Sequence, residues 1–236
     1  MRRRESRAVI AFAAIASIAA IRAAAPEAAA DAAPAPRRIY ADFPERADAA
    51  ARYVIYSHGR IVEGSDERPV SPDFGVYDFP GIRDALTRNR DFVLIARHRP
   101  KEADAADEAR RLEQGVRRLV ASGVAPSRIT LVGFSRGAYI TAVAASHLQD
   151  LRVSTALMAA CIRGYPNGER MTFAGNVLSL YETSDEMGSC NALRENSPKA
   201  HFEEVDLSTG LRHGAFYRPI EAWLAPLLAW ISRTNR

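Results

Sequence analysis

The sequence has few of the residues on which metal sites and disulfide-rich proteins depend. Its 236 residues include two cysteines, Cys161 and Cys190, and five scattered histidines. Neither CxxC nor HExxH spacing occurs, so we expect no metal site. The dinucleotide-binding pattern G-x-G-x-x-G is also absent, and we expect no cofactor.

The chain lacks the surplus of basic residues that nucleic-acid binding requires. Its formal charge is +4, but residues 1–30 carry five arginines against two glutamates. The rest of the chain holds 27 basic and 26 acidic residues. Because a surface that follows phosphate groups needs an excess of Lys and Arg, we expect no nucleic-acid partner.

The apolar run near the N-terminus, residues 9–21, is too short to span a bilayer, which takes about 20 residues. A basic stretch precedes it and small residues follow it, which is the layout of a secretory signal peptide. We therefore predict a signal peptide over residues 1–30, a periplasmic or secreted protein, and membrane contact only during export. The alternative is an uncleaved anchor.

Residues 31–51 are predicted to form an Ala/Pro-rich linker, followed by one folded domain over residues 52–236. Short, almost entirely apolar runs predict buried strands, and they alternate with amphipathic helical segments such as residues 105–120. The predicted strands are residues 53–56, 92–96, 129–134, 153–158, 177–181 and 202–207. This order predicts an α/β fold with a doubly wound, mostly parallel sheet of about six strands and helices on both faces. The last helix, residues 220–231, would break at Pro226.

Residues 133–137 read Gly-Phe-Ser-Arg-Gly, which is the pattern G-x-S-x-G. The pattern joins an apolar strand to an Ala-rich segment, and this strand-turn-helix context gives it functional meaning. We expect Ser135 to occupy a strained turn that exposes its hydroxyl, with glycines that let strand and helix approach closely. Ser135 is thus the predicted nucleophile.

A serine nucleophile needs a histidine base and an acid that orients it, and on this topology they follow the serine in the order acid, histidine. Asp185 lies just past the strand at 177–181, and His213 follows the last strand. Glu182 and Glu186 fit the acid position less well. We predict Ser135, Asp185 and His213 as a catalytic triad. The alternative is a solvated loop acid and a capping histidine.

An acyl-transfer site also needs N–H donors for the developing oxyanion. We predict the backbone N–H of Arg136, next to the nucleophile, and the backbone N–H of Arg60, after the first long strand. His58 is expected to make structural hydrogen bonds rather than to act as a catalyst.

These motifs, in this order over residues 52–231, resemble the α/β-hydrolase superfamily, and within it small lidless carboxylesterase or dienelactone-hydrolase-like members. The resemblance implies a serine hydrolase that cleaves small-molecule carboxylic esters through an acyl-enzyme intermediate. Two alternatives stay open because the fold hosts several reactions. One is an acyltransferase or thioesterase that uses the same triad, and the other is a non-catalytic exported binding protein.

Cys161 ends one predicted strand, and Cys190 follows the acid loop after the next strand. Neighbouring strand ends lie within bridging distance, so we predict a Cys161–Cys190 disulfide. The loop that it closes corresponds to a stabilisation of about 3 to 4 kcal/mol in the chain-entropy model. Two buried thiols are the alternative.

Arginines are frequent at the predicted strand ends, whereas lysine is nearly absent from the chain. If the arginines meet at one rim, they would favour an anionic ester, with Arg136, Arg60 and Arg99 in contact with substrate. The full set is Arg60, Arg97, Arg99, Arg136 and Arg163. The alternative is that nearby acids neutralise several of them: Glu63, Asp66, Glu102 or Asp185.

Three aromatic residues, Phe74, Tyr77 and Phe79, lie in the long loop predicted over residues 61–80. They either form the wall of the acyl pocket or pack on the surface.

Overall fold

A seven-stranded sheet forms the centre of the protein in a computed structural model, which describes residues 38–64, 66–88, 90–161 and 171–236. The strands are β1 (Arg38–Tyr40), β2 (Arg52–Ser57), β5 (Phe92–Ile95), β6 (Ile129–Phe134), β7 (Ser154–Met158), β8 (Ala174–Glu182) and β9 (Lys199–Leu207). Two short strands, β3 (Val70–Ser71) and β4 (Gly75–Val76), form a separate antiparallel hairpin. The helices are α1 (Phe79–Thr87), α2 (Ala105–Ala121), α3 (Arg136–His147), α4 (Asn191–Glu195) and α5 (Glu221–Thr234).

All neighbouring strands of the large sheet run parallel, in the order β1-β5-β2-β6-β7-β8-β9. The predicted parallel α/β sheet is therefore confirmed. The strand beyond the expected six is β1, which lies within the segment predicted to be a linker. It has only three residues, all exposed, so it carries no apolar run that a sequence pattern could reveal.

Two buried clusters cover the two faces of the sheet. Along β2, Tyr53 and Ile55 belong to one cluster, and Val54 and Tyr56 belong to the other. This alternation follows the two-residue period of a strand, and it explains why the strand lacks polar positions. Helices α2 and α3 supply the first cluster, and α1 and α5 supply the second.

The expected break at Pro226 is wrong, because α5 continues through it. Proline removes one backbone hydrogen bond from a helix and strains the preceding turn. On either side of Pro226, however, buried side chains hold the helix on the sheet. They are Trp223, Leu227, Trp230 and Ile231. Their burial compensates for the lost bond and keeps the helix continuous.

The predicted disulfide between Cys161 and Cys190 is confirmed, with 5.2 Å between the Cα atoms. It links the segment after β7 to the start of α4. The loop after β8, which carries Asp185, is thereby fixed to the neighbouring strand end. The disulfide stabilises the fold because it restricts the conformations that the unfolded chain can adopt.

The segment at residues 61–80 is more ordered than the loop expected there. It begins in a 3₁₀ turn, Arg60–Val62, continues through the hairpin of β3 and β4, and ends in α1. Within the described part of the chain, no helix is both long and apolar enough to cross a membrane. The predicted signal peptide, and residues 31–37 of the predicted linker, lie outside the described residues.

Candidate active site

Ser135 lies in the turn between β6 and α3 with φ of +53° and ψ of −121°. A non-glycine residue in such a conformation is strained, and it persists only where its surroundings hold it in place. Here the Ser135 amide donates to the carbonyl oxygen of Met158 at 3.0 Å, and the Tyr139 amide donates to the Ser135 carbonyl at 3.1 Å. The turn is therefore held from the neighbouring strand and from the helix.

The two glycines of the motif are required by close backbone contacts. A Cβ atom at Gly133 would lie 2.5 Å from the carbonyl oxygen of Gly137, and one at Gly137 would lie 2.1 Å from the carbonyl oxygen of Ser57. Neither obstacle is a flexible side chain. The first contact is between strand and helix, as expected, and the second brings α3 against the end of β2.

The structure brings the three predicted triad residues together. Nε2 of His213 lies 2.9 Å from Oγ of Ser135, and Nδ1 of His213 lies 2.7 Å from Oδ2 of Asp185. A carboxylate accepts hydrogen bonds, so the proton of a neutral His213 is on Nδ1. Nε2 is then free to accept the Ser135 proton, which is the arrangement that a serine nucleophile requires.

Glu182 holds the loops that carry Asp185 and His213. It is the last residue of β8 and is fully buried. Its Oε2 accepts hydrogen bonds from the amide of Ser184, at 2.8 Å, and from the Ser184 hydroxyl. Its Oε1 accepts from the amides of Thr209 at 2.9 Å and Gly210 at 3.1 Å. One carboxylate oxygen thus binds the Asp185 loop and the other binds the His213 loop.

The charge of Glu182 is stabilised by these donors. Burial by itself raises the pKa of the carboxyl group, but the hydrogen bonds from Ser184, Gly210 and Thr209 outweigh it, and the pKa lies below its ordinary value. Sequence reasoning considered Glu182 only as a competitor of Asp185. Its position at the strand end was the available signal, but its contacts depend on the pairing of β8 with β9.

Both predicted oxyanion donors border the same cavity as the nucleophile. Arg136 is the first residue of α3, so its amide has no acceptor within the helix. Arg60 is the first residue of the 3₁₀ turn. The cavity has a volume of about 640 Å³, and its lining includes Ser135, His213, Gly59, Arg60 and Arg136. The assignment of the two amides to an oxyanion remains a prediction.

His58 is fully buried and has two hydrogen bonds. Its Nε2 accepts from the amide of Arg99 at 2.9 Å, so its proton is on Nδ1, which donates to the carbonyl oxygen of Gly59 at 2.8 Å. Burial, together with the nearby charge of Arg99, lowers the pKa of His58 to about 2. The contacts are those of the structural residue expected from the sequence.

The structure corrects the predicted contact between Arg99 and substrate. The side chain of Arg99 is 3% exposed and binds Glu63, whose side chain is 4% exposed, at 3.1 Å. It also donates to the carbonyl oxygen of His58. Arg99 therefore lies behind the cavity wall. Its buried guanidinium is compensated by a carboxylate partner and a carbonyl acceptor in place of water.

Glu63 also binds Arg136, so one acid neutralises two of the five arginines. Nε of Arg136 lies 3.0 Å from Oε1 of Glu63, and its Nη2 donates to the carbonyl oxygen of Ala103 at 2.5 Å. Arg97 lies 3.5 Å from Glu108. The arginines therefore do not all meet at one rim, and Arg163 lies outside the described residues.

The expected aromatic wall is also corrected. Tyr77 is fully buried, and its hydroxyl lies 2.8 Å from that of Tyr56, so it is a core residue. Phe74 packs against the ring of His213, with 5.9 Å between the ring centroids, and does not line the cavity. The apolar lining of the cavity comes instead from Ile61, Phe134 and Tyr217.

Two residues of the lining escaped sequence reasoning altogether, Lys101 and Tyr217. Lys101 lies in the segment between β5 and α2, where a reading of strand ends could have found it. Tyr217 follows the His213 turn. Among the described residues, no group of three or more His, Cys, Asp or Glu side chains is arranged to hold a metal ion.

Solved structures share this architecture, although no family model and no curated protein matches the sequence. Two variants of SOBER1 from Arabidopsis thaliana match with TM-scores of 0.50 and 0.51 at 13% identity; the matches cover 78% and 79% of this chain and 100% of each variant. Esterase PE8 matches with a TM-score of 0.49 at 17% identity, over 83% of this chain and 99% of its own. Structural similarity at such low sequence identity supports the fold but not a particular reaction. The parallel sheet, the strained serine turn after β6 and the matches to the SOBER1 variants establish that this chain has the α/β-hydrolase fold.

Proposed function

We propose that the protein is a serine hydrolase that cleaves small carboxylic esters through an acyl-enzyme intermediate. The observation that carries the proposal is the unbroken line of contacts from Ser135 through His213 to Asp185, at 2.9 Å and 2.7 Å. A strained turn, a helix N-terminus and a cavity adjoin the serine hydroxyl. These are the parts that acyl transfer needs in addition to the nucleophile.

In the first half of the proposed reaction, Ser135 Oγ attacks the ester carbonyl as His213 Nε2 takes the hydroxyl proton. Asp185 stabilises the imidazolium that forms, and the amides of Arg136 and Arg60 bind the oxyanion. His213 then gives the proton to the departing alcohol. In the second half, His213 takes a proton from water, the hydroxide attacks the acyl-enzyme, and the proton returns to Ser135 as the carboxylic acid leaves.

The test is the substitution Ser135→Ala, with Ser146→Ala on the same helix as the matched control. We expect the first variant to lose ester hydrolysis by roughly 10⁴- to 10⁶-fold and to lose labelling by a fluorophosphonate probe. Circular dichroism should show that its fold is intact. The control should keep turnover and labelling, because the Ser146 hydroxyl donates to the carbonyl of Val143 within the same helix and Ser146 does not line the cavity. Wild-type turnover by Ser135→Ala would refute the proposal.

The same assay separates the alternatives on this fold. Product analysis with an added alcohol acceptor distinguishes hydrolysis from acyl transfer, and parallel oxygen esters and thioesters distinguish an esterase from a thioesterase. A binding protein without turnover would neither release product nor react with the probe.

The proposal includes export to the periplasm or the outside of the cell. The Cys161–Cys190 disulfide supports it, because disulfides persist in oxidising compartments. The basic and apolar pattern of residues 1–30 gives the route. We expect protein recovered from the exporting cell to begin close to residues 28–31 and to contain no free thiol. A full-length mass with two free thiols would contradict export.

A further inference from the structure

The cavity beside Ser135 is bordered by an unequal set of charges. Its lining contains three basic side chains, Arg60, Lys101 and Arg136, and two acidic ones, Glu63 and Glu102. Glu63 is already shared by Arg136 and by Arg99, which lies buried behind it. Three cations of the lining therefore face two carboxylates, and Glu63 is already engaged by two guanidinium groups.

The cations of this cavity differ in how freely they can bind a ligand. The guanidinium of Arg136 is held in place by Glu63 and by the carbonyl of Ala103, at 3.0 Å and 2.5 Å. Arg60 and Lys101 are exposed, and neither forms an ion pair within the described part of the chain. The charges available to a substrate are therefore those of Arg60 and Lys101, with Arg136 as a fixed neighbour.

The wall that carries Arg60 and Lys101 is braced from within. The amide of Gly64 donates to the carbonyl of Arg99 at 3.1 Å, and the ring of His98 binds the carbonyl of Val62 at 2.5 Å. Together with the Arg99–Glu63 pair, these contacts join the segment after β2 to the segment after β5. Arg60 lies on the first segment and Lys101 on the second, so the backbone positions that carry the two cations are held together before a ligand arrives.

Resting on the proposed ester hydrolysis, we propose that the substrate carries a second, anionic group, a carboxylate or a phosphate, which Arg60 and Lys101 bind in this cavity. Guanidinium and ammonium groups are the side chains that recognise such anions. The cleavable ester lies at Ser135, and Ile61, Phe134 and Tyr217 contact the apolar part between the two groups. Of the three arginines expected to contact an anionic substrate, this proposal keeps Arg60, replaces Arg99 with Lys101 and leaves Arg136 as a fixed neighbour.

The kinetic test compares two esters of equal acyl length, 4-nitrophenyl hydrogen glutarate, which is anionic, and 4-nitrophenyl pentanoate, which is neutral. We expect kcat/KM to favour the anionic ester by about tenfold or more at about 10 mM salt, and the preference to shrink at about 1 M salt. Lys101→Gln should lower the ratio several-fold, and Arg60→Gln with Lys101→Gln should bring it near one. Arg88→Gln, an equal loss of charge on an exposed residue at the end of α1, should leave the ratio unchanged.

A binding measurement keeps the inference separate from the proposed reaction. Titration calorimetry on Ser135→Ala, with glutarate and with inorganic phosphate, should show binding that Lys101→Gln weakens; the tighter ligand identifies the anion class. If Ser135→Ala kept wild-type ester turnover and still bound the anion, the serine hydrolase alone would be overturned. Equal rates for both esters, or no anion binding to Ser135→Ala, would overturn the anionic substrate and leave the hydrolase standing.

Discussion

Glu63 and Glu182 are both buried carboxylates beside the candidate site, but their donors differ. Glu63 binds two guanidinium groups, those of Arg99 and Arg136, and so forms a charged cluster under the cavity wall. Glu182 binds backbone amides and one hydroxyl, all of them neutral, between the loops of Asp185 and His213. Glu63 thus holds arginine side chains beside the cavity, and Glu182 holds the loops that carry Asp185 and His213.

The difference shows how a buried charge can be used in two ways. Removal of one member of a buried ion-pair cluster is costly, because each remaining charge then stays buried without compensation. A charge that is held by amides can position two loops at once, since each oxygen accepts several hydrogen bonds. Removal of the charge should therefore affect mainly stability at Glu63 and both stability and catalysis at Glu182.

The largest effect is expected from Glu63→Gln, which leaves the buried Arg99 guanidinium without its carboxylate partner. We expect the free energy of unfolding to fall by about 3 to 5 kcal/mol. Urea denaturation followed by circular dichroism measures it. The matched control is Glu203→Gln, which breaks a more exposed pair with Arg233 and should cost at most about 1 kcal/mol. Equal costs for the two variants would remove the contrast between the two buried acids.

A smaller loss of stability, with a distinct kinetic effect, is expected from Glu182→Gln. An amide has one acceptor oxygen, so its NH₂ group must face the donors of one loop, whichever way it turns. We expect a loss of about 1 to 3 kcal/mol. The displaced loop should lower kcat by about 10- to 100-fold while KM changes little.

Glu186→Gln is the control for Glu182→Gln, because Glu186 is exposed on the same loop. It should change neither stability nor kcat. A Glu182→Gln variant that lost stability but kept its full kcat would show that Glu182 does not position the triad.

The smallest expected effect is the change in the free energy of unfolding with each pH unit. It concerns His58, which lies on the cavity side of the site. The ordinary pKa is 6.5, and the folded value is about 2. Below pH 6.5 His58 takes up a proton in the unfolded chain but stays neutral in the folded chain. The free energy of unfolding is therefore highest above pH 6.5 and declines as the pH falls. The expected slope is about 1.4 kcal/mol for each pH unit.

The pKa of Glu182 is lowered from an ordinary value of 4.5, so the stability that its charge contributes is lost only at pH values below 4.5. Denaturation between pH 4.5 and 6.5 thus avoids the contribution of Glu182, and comparison with a His58 variant gives the contribution of His58. His58→Asn should flatten the slope, and His201→Asn, at an exposed position, should not. An NMR titration of His58 with a midpoint near 6.5 would contradict the argument.

Much of the fold follows from local features of the chain. The strand β6 was predicted with its observed bounds, because it is an almost entirely apolar run that ends in a turn motif. The strand β1 was missed, since three exposed residues have no pattern of their own and become a strand only by pairing with β5. Pro226 was misjudged for a similar reason, because packing of α5 on the sheet outweighs the local preference of proline.

The candidate site divides in the same way. The chain by itself determined Ser135, Asp185, His213 and the disulfide, because each lies at or near the end of a strand, and the ends of parallel strands meet at one edge of a sheet. Which arginines would be buried, and which acid they would share, was decided only by the tertiary structure. Glu63, Arg99 and Arg136 are up to 73 residues apart in the sequence. Partners at such separations are chosen by the folding of whole segments against one another, which no local pattern records.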